Sequence, residues 1–452
     1  MIQRSVKFLA LGILVSLALN LSACNHVKQS LLGDLGYSKK APAADTKSSK
    51  ITLKLWHIWG TESDSNKKPF EKALDDWNRA NPNVQIEADA TETETYKTRI
   101  RTAIAVNEAP DIFYSWGAGF ARPFVEAEKV LPLDDYIQDG TLDKLLPGSR
   151  DNFIYDGKTY GLPIYVTAVV FYFNRELFEK NGVKIPETYK ELLEAVKAFK
   201  AAGVTPMVVG EKDRWPGMLY QNILAIRTAG TKLCNQALNK QASFNQPQFV
   251  ESAAKLNELV KVEAFDKRSM RLTAHEAELE FIRGKAAMYF NGSWSVGSLE
   301  KEGCPVKGKI VVRNFPVLEN SGGDPNGFLG GAIDTFMINA GTQYKEEAVR
   351  ALKTIDENFC RESYLIGASQ PAWKLNVDES ALSPLVVEIS KLLKGGTGFV
   401  LAWDTSLSGS DAETHKDLIA ELFAGIKTPQ EFARDMQKLN EKKESSEAVT
   451  SR

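Results

Sequence analysis

Five of the eight tryptophans stand in polar or glycine-bearing loops, and they carry the chemistry this sequence has to offer. They occur in Trp59-Gly60-Thr61-Glu62, Ser115-Trp116-Gly117, Asp213-Arg214-Trp215-Pro216-Gly217, Asn291-Gly292-Ser293-Trp294 and Ala402-Trp403-Asp404-Thr405. A core tryptophan usually sits inside a periodic segment, as Trp77 does beside Phe70 and Leu74. An indole in a polar loop after a strand turns a large apolar face toward whatever lies there. The axial C–H faces of a sugar ring are apolar, while its hydroxyls need donors and acceptors. Indoles with Glu62, Arg214, Asn291 and Asp404 nearby supply both. The competing account is that each ring closes the core beneath its own loop. Five such rings in one chain favour the ligand account.

Other chemistries leave no signature. The histidines His26, His57, His275 and His415 are isolated, and no two cysteines lie at metal-site spacing, so neither a metal nor a cofactor is expected. Trp116-Gly117-Ala118-Gly119-Phe120-Ala121-Arg122 starts like a dinucleotide loop but has Arg where the third Gly belongs. Ser293-Trp294-Ser295-Val296-Gly297 lacks the first Gly of a nucleophile elbow. Carboxylates are plentiful but no pair stands out for glycoside hydrolysis, so a carbohydrate-active enzyme stays open. A formal net charge of −2 gives no basic footprint for nucleic acid. An anionic solute would want several arginines, and Arg214 and Arg122 are the obvious candidates.

The amino end reads as a secretory signal over residues 1–23. Arg4 and Lys7 precede an apolar run from Phe8 to Leu21, shorter than the roughly 20 residues that span a bilayer. Leu21-Ser22-Ala23-Cys24 then forms a lipobox, and Cys24 resembles the site where bacteria attach a diacylglycerol thioether. The alternative is a plain signal peptide or short anchor with a chance cysteine. On the lipobox reading the mature chain begins at Cys24, outside the cytoplasm, and is anchored to the cell membrane by lipid alone, several acyl chains making the tether stable. Residues 24–50 read as a flexible tether. Three further cysteines remain. The expectation is a Cys234–Cys304 bridge between loop-like segments with Cys360 buried and free, although spacing alone cannot assign connectivity.

Ordered elements must position the indoles, and they start at Ile51. Ile51 to His57 alternates like a strand, and a helix carrying Phe70, Leu74 and Trp77 follows. Val84 to Ala88 alternates again, a helix around Tyr96, Ile100 and Ile104 comes next, and Asp111 to Tyr114 is a third strand. This β-α-β-α-β order implies a largely parallel sheet, in which ligands bind at the carboxyl ends of strands. Pro163 to Phe173, Pro206 to Val209, Ala286 to Phe290, Lys309 to Phe315 and Ala332 to Asn339 read as further strands. Thr273-Ala274-His275-Glu276 has capping-box spacing. Thr428-Pro429-Gln430-Glu431 opens a last helix with Phe432, Met436 and Leu439, and residues 441–452 form a polar tail. The chain reads as two α/β lobes, with ordinary hydrophobic (43%) and charged (25%) content.

With these segments in view, the chain resembles the family 1 extracellular solute-binding proteins, the sugar-binding receptors of ATP-driven (ABC) importers. The resemblance covers nearly all of residues 51–440. It rests on Leu55-Trp56-His57-Ile58-Trp59, Trp77-Asn78-Arg79-Ala80-Asn81-Pro82-Asn83-Val84, Ala109-Pro110-Asp111-Ile112 and Gly157-Lys158-Thr159-Tyr160-Gly161-Leu162-Pro163. Phe171 to Phe178, Gly284-Lys285-Ala286-Ala287-Met288, Asn291-Gly292-Ser293-Trp294 and Gly330-Gly331 complete it. Each segment is short; their order and spacing are specific. The subgroup it looks most like takes oligosaccharides such as α-galactosides or plant β-linked fragments. Thr61 and Ser63 fit no fixed pattern of the family, which leaves the polar contacts open.

The resemblance implies an α/β, two-lobed periplasmic-binding-protein-like fold with a hinged interlobe cleft. Lobe 1 would hold residues 51–166 and 325–370, and lobe 2 residues 167–324 and 371–440. It implies stacking platforms at Trp294, Trp403 and Trp215 with Arg214. Trp59, Glu62 and Trp116 would face them from lobe 1, with Tyr165 at the first hinge strand and Asn291, Asp334 and Asp404 as polar contacts. It further implies ABC permease subunits as partners, a monomeric state and no catalysis. A non-sugar solute and an extracellular carbohydrate-active enzyme are the alternatives.

Overall fold

Ile51–His57 forms the strand its alternation implies, with Leu53 and Leu55 buried. The computed structural model describes residues 50–441 apart from Ser63 and Ser408. The signal segment, Cys24, the tether up to residue 49 and residues 442–452 lie outside the described residues.

Two sheets organise the chain. In the first, Ile51–His57 pairs in parallel with Val84–Ala90 and with Ile112–Trp116, as the β-α-β order requires. Asp334–Ile338 then joins antiparallel to Ile112–Trp116, and Leu162–Pro163 pairs antiparallel to that strand. The sheet is therefore mixed rather than largely parallel, because its last two strands arrive from remote parts of the chain. The second sheet runs Phe399–Val400, Phe328–Gly331, Thr167–Asn174, Ala286–Gly292, Thr205–Met207, with Ile310–Arg313 beside Thr167–Asn174. Every residue of Thr167–Asn174 is buried, which fits a central strand covered on both faces.

The long β-rich run expected from Pro163 to Phe173 is thus divided between the sheets. The chain crosses from the first to the second at residues 164–166 and returns at Ala332–Ile333. Beside the first crossing, Val166 bridges Gln370. A core containing Trp59, Phe70, Phe336 and Phe359 packs on the first sheet. Two cores flank the second, one around Phe171, Phe290 and Trp403 and one around Tyr172, Phe281 and Val386. These are the two lobes. Thr273 and Glu276 form the capping box read from their spacing, and Pro429–Glu441 buries Phe432, Met436 and Leu439.

Two local readings change. Trp215-Pro216-Gly217 opens the helix Trp215–Leu238 rather than lying in a loop. Proline and glycine read as punctuation, yet proline suits the first turn of a helix. A Cβ at Gly217 would strike the Glu211 carboxylate at 1.8 Å. The expected Cys234–Cys304 bridge is absent: Cys234, Cys304 and Cys360 are all free thiols. Cys234 sits in that same helix within the core that holds Trp403, whereas Cys304 packs against the opposite core of the second sheet. Burial pushes the Cys360 thiol up to about 12.

Candidate ligand-binding site

The carboxyl end of the first sheet is built by register. Asp334 pairs with Trp116 across the antiparallel ladder, so a residue that starts one strand meets a residue that ends another. The Tyr114 hydroxyl donates to the Asp334 carboxylate. Nearby, Asn66 Nδ2 donates to the Tyr165 hydroxyl at 3.3 Å, and the Ser363 hydroxyl bonds Asn66 Oδ1 at 2.6 Å. Asp64, two residues earlier, accepts from the Asn66 backbone N–H at 3.2 Å.

The second lobe answers with the end of Ala286–Gly292. Asn291 Nδ2 donates to the Tyr289 hydroxyl at 2.5 Å and to Ser295 Oγ at 3.1 Å, and Ser295 Oγ donates to Glu278 at 3.3 Å. The Asn291 Oδ1 atom is buried without a partner. The Trp294 ring folds back over Gly292, where a Cβ would lie 2.0 Å from the indole. Glycine is therefore needed in Asn-Gly-Ser-Trp for that ring position. Trp215 approaches Trp294 at 6.1 Å between ring centroids and 61° between planes. Both rings are half-buried, so an angled pair of apolar faces remains accessible.

The lobes touch along a seam. Ser65 Oγ and Ser298 Oγ lie 3.1 Å apart, which places Asp64 and Glu278 on opposite sides of one contact. Burial pushes both carboxyl groups up to about 7, and Asp334 to about 6. The Asp64 charge adds to the rise at Glu278, while bonds from Ser298 and Ser295 oppose it. At neutral pH such groups can both donate and accept, as sugar hydroxyls do.

A pH test follows. These folded-state pKa values lie above those of unfolded carboxylates near 4. The native state keeps protons that the unfolded chain has released, so their contribution to stability is full below about pH 4 and falls as pH rises to about 7. Asp64→Asn/Glu278→Gln is expected to gain on the wild type in melting temperature between about pH 5 and pH 8. A difference constant across that range would remove Asp64 and Glu278 from this role.

The residues singled out by sequence separate into groups. Trp215, Trp294 and Asn291 come together on the second lobe, and Tyr165 and Asp334 on the first. Trp59 meets the first-lobe group from inside the core: its side chain hydrogen-bonds Tyr165, and its ring packs against Phe70, Tyr114, Phe336 and Phe359. Trp403 is likewise a core residue, 0% exposed, stacked on His415 at 5.2 Å and packed against Phe244 at 5.1 Å. In both cases the ring is covered by residues from distant segments. Trp116 lies near the seam with the Lys97 ammonium 5.1 Å above its ring. Glu62 is exposed and paired with Lys67. Arg214 is held by Glu413 and Asp417, and Asp404 by Lys97. Sequence reasoning missed Asp64, Glu278, Tyr114, Tyr289 and Ser295. Glu278 carries no local signal, since one glutamate in a helix reads as a solvated face.

Two lobes joined by crossing strands, with polar groups facing across their contact, define a class: the hinged receptor that closes on a solute. Residues 61–355 match the family model described as bacterial extracellular solute-binding protein, and the chain belongs to that family. It is 24% identical over 376 residues to the multiple sugar-binding protein of Streptococcus mutans serotype c, covering 80% of this chain and 86% of that one. A solved structure from work on xylan utilization by the thermophilic bacterium Caldanaerobius polysaccharolyticus is 47% identical with a TM-score of 0.83, covering 86% of this chain and 99% of its own. A chitin oligosaccharide binding protein is 25% identical with a TM-score of 0.79, covering 87% and 98%. Family members of this kind bind substrates rather than transform them. No helix among the described residues is long and apolar enough to cross a membrane.

Proposed function

We propose that this protein is the extracytoplasmic sugar receptor of an ABC importer, capturing an oligosaccharide between its lobes and delivering it to the permease. The observation that carries the reading is the angled, half-exposed Trp215–Trp294 pair beside the Asn291–Ser295–Glu278 chain of hydrogen bonds. Indole faces suit sugar C–H faces, and the adjoining amide, hydroxyl and carboxyl groups suit ring hydroxyls. The xylan-related neighbour and the chitin-oligosaccharide binder support a β-linked oligosaccharide as cargo. Trp116, Tyr165 and Asp334 form the first-lobe side of the site. Ligand contact with both lobes favours closure, because only the closed form offers both sets of partners.

The chain acts without catalysis, as a monomer tethered through a lipid on Cys24. The first lobe comprises residues 51–166 and the segment from the return crossing at 332 to 370, and the second comprises residues 167–331 and 371–441. Titration calorimetry against xylo-, chito- and α-galacto-oligosaccharides tests the function. Micromolar binding, roughly −8 kcal/mol, with the sugar recovered intact is expected. Cleaved sugar would convert the reading to an enzyme, and binding of non-sugar solutes alone would overturn it.

A further inference from the structure

Charged side chains gather at one end of the seam. From the first lobe, the helix Thr93–Ala105 brings Glu94, Lys97 and Arg101. The second lobe brings Arg214, then Asp404 on the helical turn Trp403–Ser406, then Glu413, Lys416 and Asp417 on Gly409–Phe423. Among the described residues three ion pairs cross the seam: Lys97–Asp404 at 3.4 Å, Glu94–Lys416 at 3.4 Å and Arg101–Glu413 at 3.6 Å. The buried cations also have a partner at home, Lys97 with Glu94 at 2.8 Å and Lys416 with Glu413 at 3.2 Å. Arg214 joins through Glu413 at 2.8 Å and through Asp417. Lys97 is 8% exposed and Lys416 only 1%.

These numbers decide how the network acts. Exposed ion pairs contribute little, but removing one partner of a buried pair leaves an uncompensated charge out of water. Parting the lobes breaks the three crossing pairs while the home pairs persist and regain water. The network is therefore compatible with both forms, and damage to one crossing partner falls on the closed form. Arg214 and Asp404, two of the four charged residues that the sequence assigns to sugar contact, are both occupied by this network.

We propose that Glu94, Lys97, Arg101, Asp404, Glu413 and Lys416 form an electrostatic clasp that sets the balance between open and closed lobes, and that Asp404 and Arg214 act through it rather than by touching the cargo. This rests on the reading that cargo is captured between the lobes. Apparent affinity scales with the fraction of protein able to close. A clasp variant therefore weakens every ligand by one common factor and leaves the preference among ligands intact.

The experiment is a double-mutant cycle, read by calorimetry with two oligosaccharides that the wild type binds with different affinities. Lys97→Met, which strands the Asp404 charge, is expected to weaken both at least tenfold with their ratio unchanged. Lys97→Met/Asp404→Asn is expected to bind more tightly than Lys97→Met, because no bare charge is then buried. Arg101→Gln, at the wetter rim, gives a smaller loss in the same direction and serves if Lys97→Met melts early. Higher salt is expected to enlarge the radius of gyration of the ligand-free wild type by X-ray scattering, and to do so less in the double variant. Unequal losses for the two sugars, or a double variant worse than either single one, would assign Asp404 to the cargo and overturn the clasp. Scattering insensitive to salt would overturn it as well. If the wild type binds no sugar, the function proposed above falls, while the scattering arm still decides the clasp.

Discussion

Replacing Trp294 by alanine is expected to weaken oligosaccharide binding tenfold or more while the protein still folds. The ring is half-buried, rests on the Gly292 backbone and meets Trp215 at 6.1 Å. Removing it deletes one stacking face, worth about 0.5–1.5 kcal/mol beyond the area it covers. It also loosens Trp215, the second face of the pair. A tenfold loss corresponds to about 1.4 kcal/mol, so stacking plus lost area reaches it. Because Trp294 packs at the margin of its core rather than within it, the melting transition should stay cooperative. Calorimetry reads the affinity and a thermal melt reads the fold. Unchanged affinity in a folded variant would move the site elsewhere in the molecule.

Gly119→Val is expected to have a larger effect through a different route. Gly119 lies in the helix Ala118–Glu126 of the first lobe. A Cβ there would stand 2.2 Å from the Ser406 carbonyl oxygen and 2.7 Å from the Leu407 carbonyl carbon of the second lobe. Those are backbone atoms and cannot turn aside, so the substituted lobe folds but cannot dock. With the closed form removed, apparent affinity should fall by about a hundredfold. X-ray scattering should show separated lobes even at saturating sugar. Gly322→Ala is the control, since nothing lies within 4 Å of a Cβ at that position. Gly119→Val binding like the wild type would mean that capture does not need this closure. Gly297 guards the far side of the seam in the same way, with Ser65 Cβ 2.7 Å from its would-be Cβ.

Much of the scaffold was legible because its signals are local. Alternation in Ile51–His57, the apolar face of Phe70 and Trp77, and the Thr273–Glu276 box each act within a few residues. The site was only half legible. Asn-Gly-Ser-Trp pointed to Trp294 because the glycine and the indole are neighbours in sequence. Asp64 and Glu278 were not visible, since neither helix pattern nor loop composition says that two carboxyl groups will share a seam.

By itself the sequence determined two α/β lobes, a family likeness and an aromatic, polar chemistry suited to sugars. Tertiary structure alone decided which indoles are surfaces and which are core. Trp403 is covered by His415 and Phe244, and Trp59 by Phe336 and Phe359; of these partners all but His415 lie far away in sequence. It also decided that Arg214 and Asp404 are tied into ion pairs. The physical reason is that exposure and charge pairing belong to the space around a residue, which segments far along the chain fill only once they have packed.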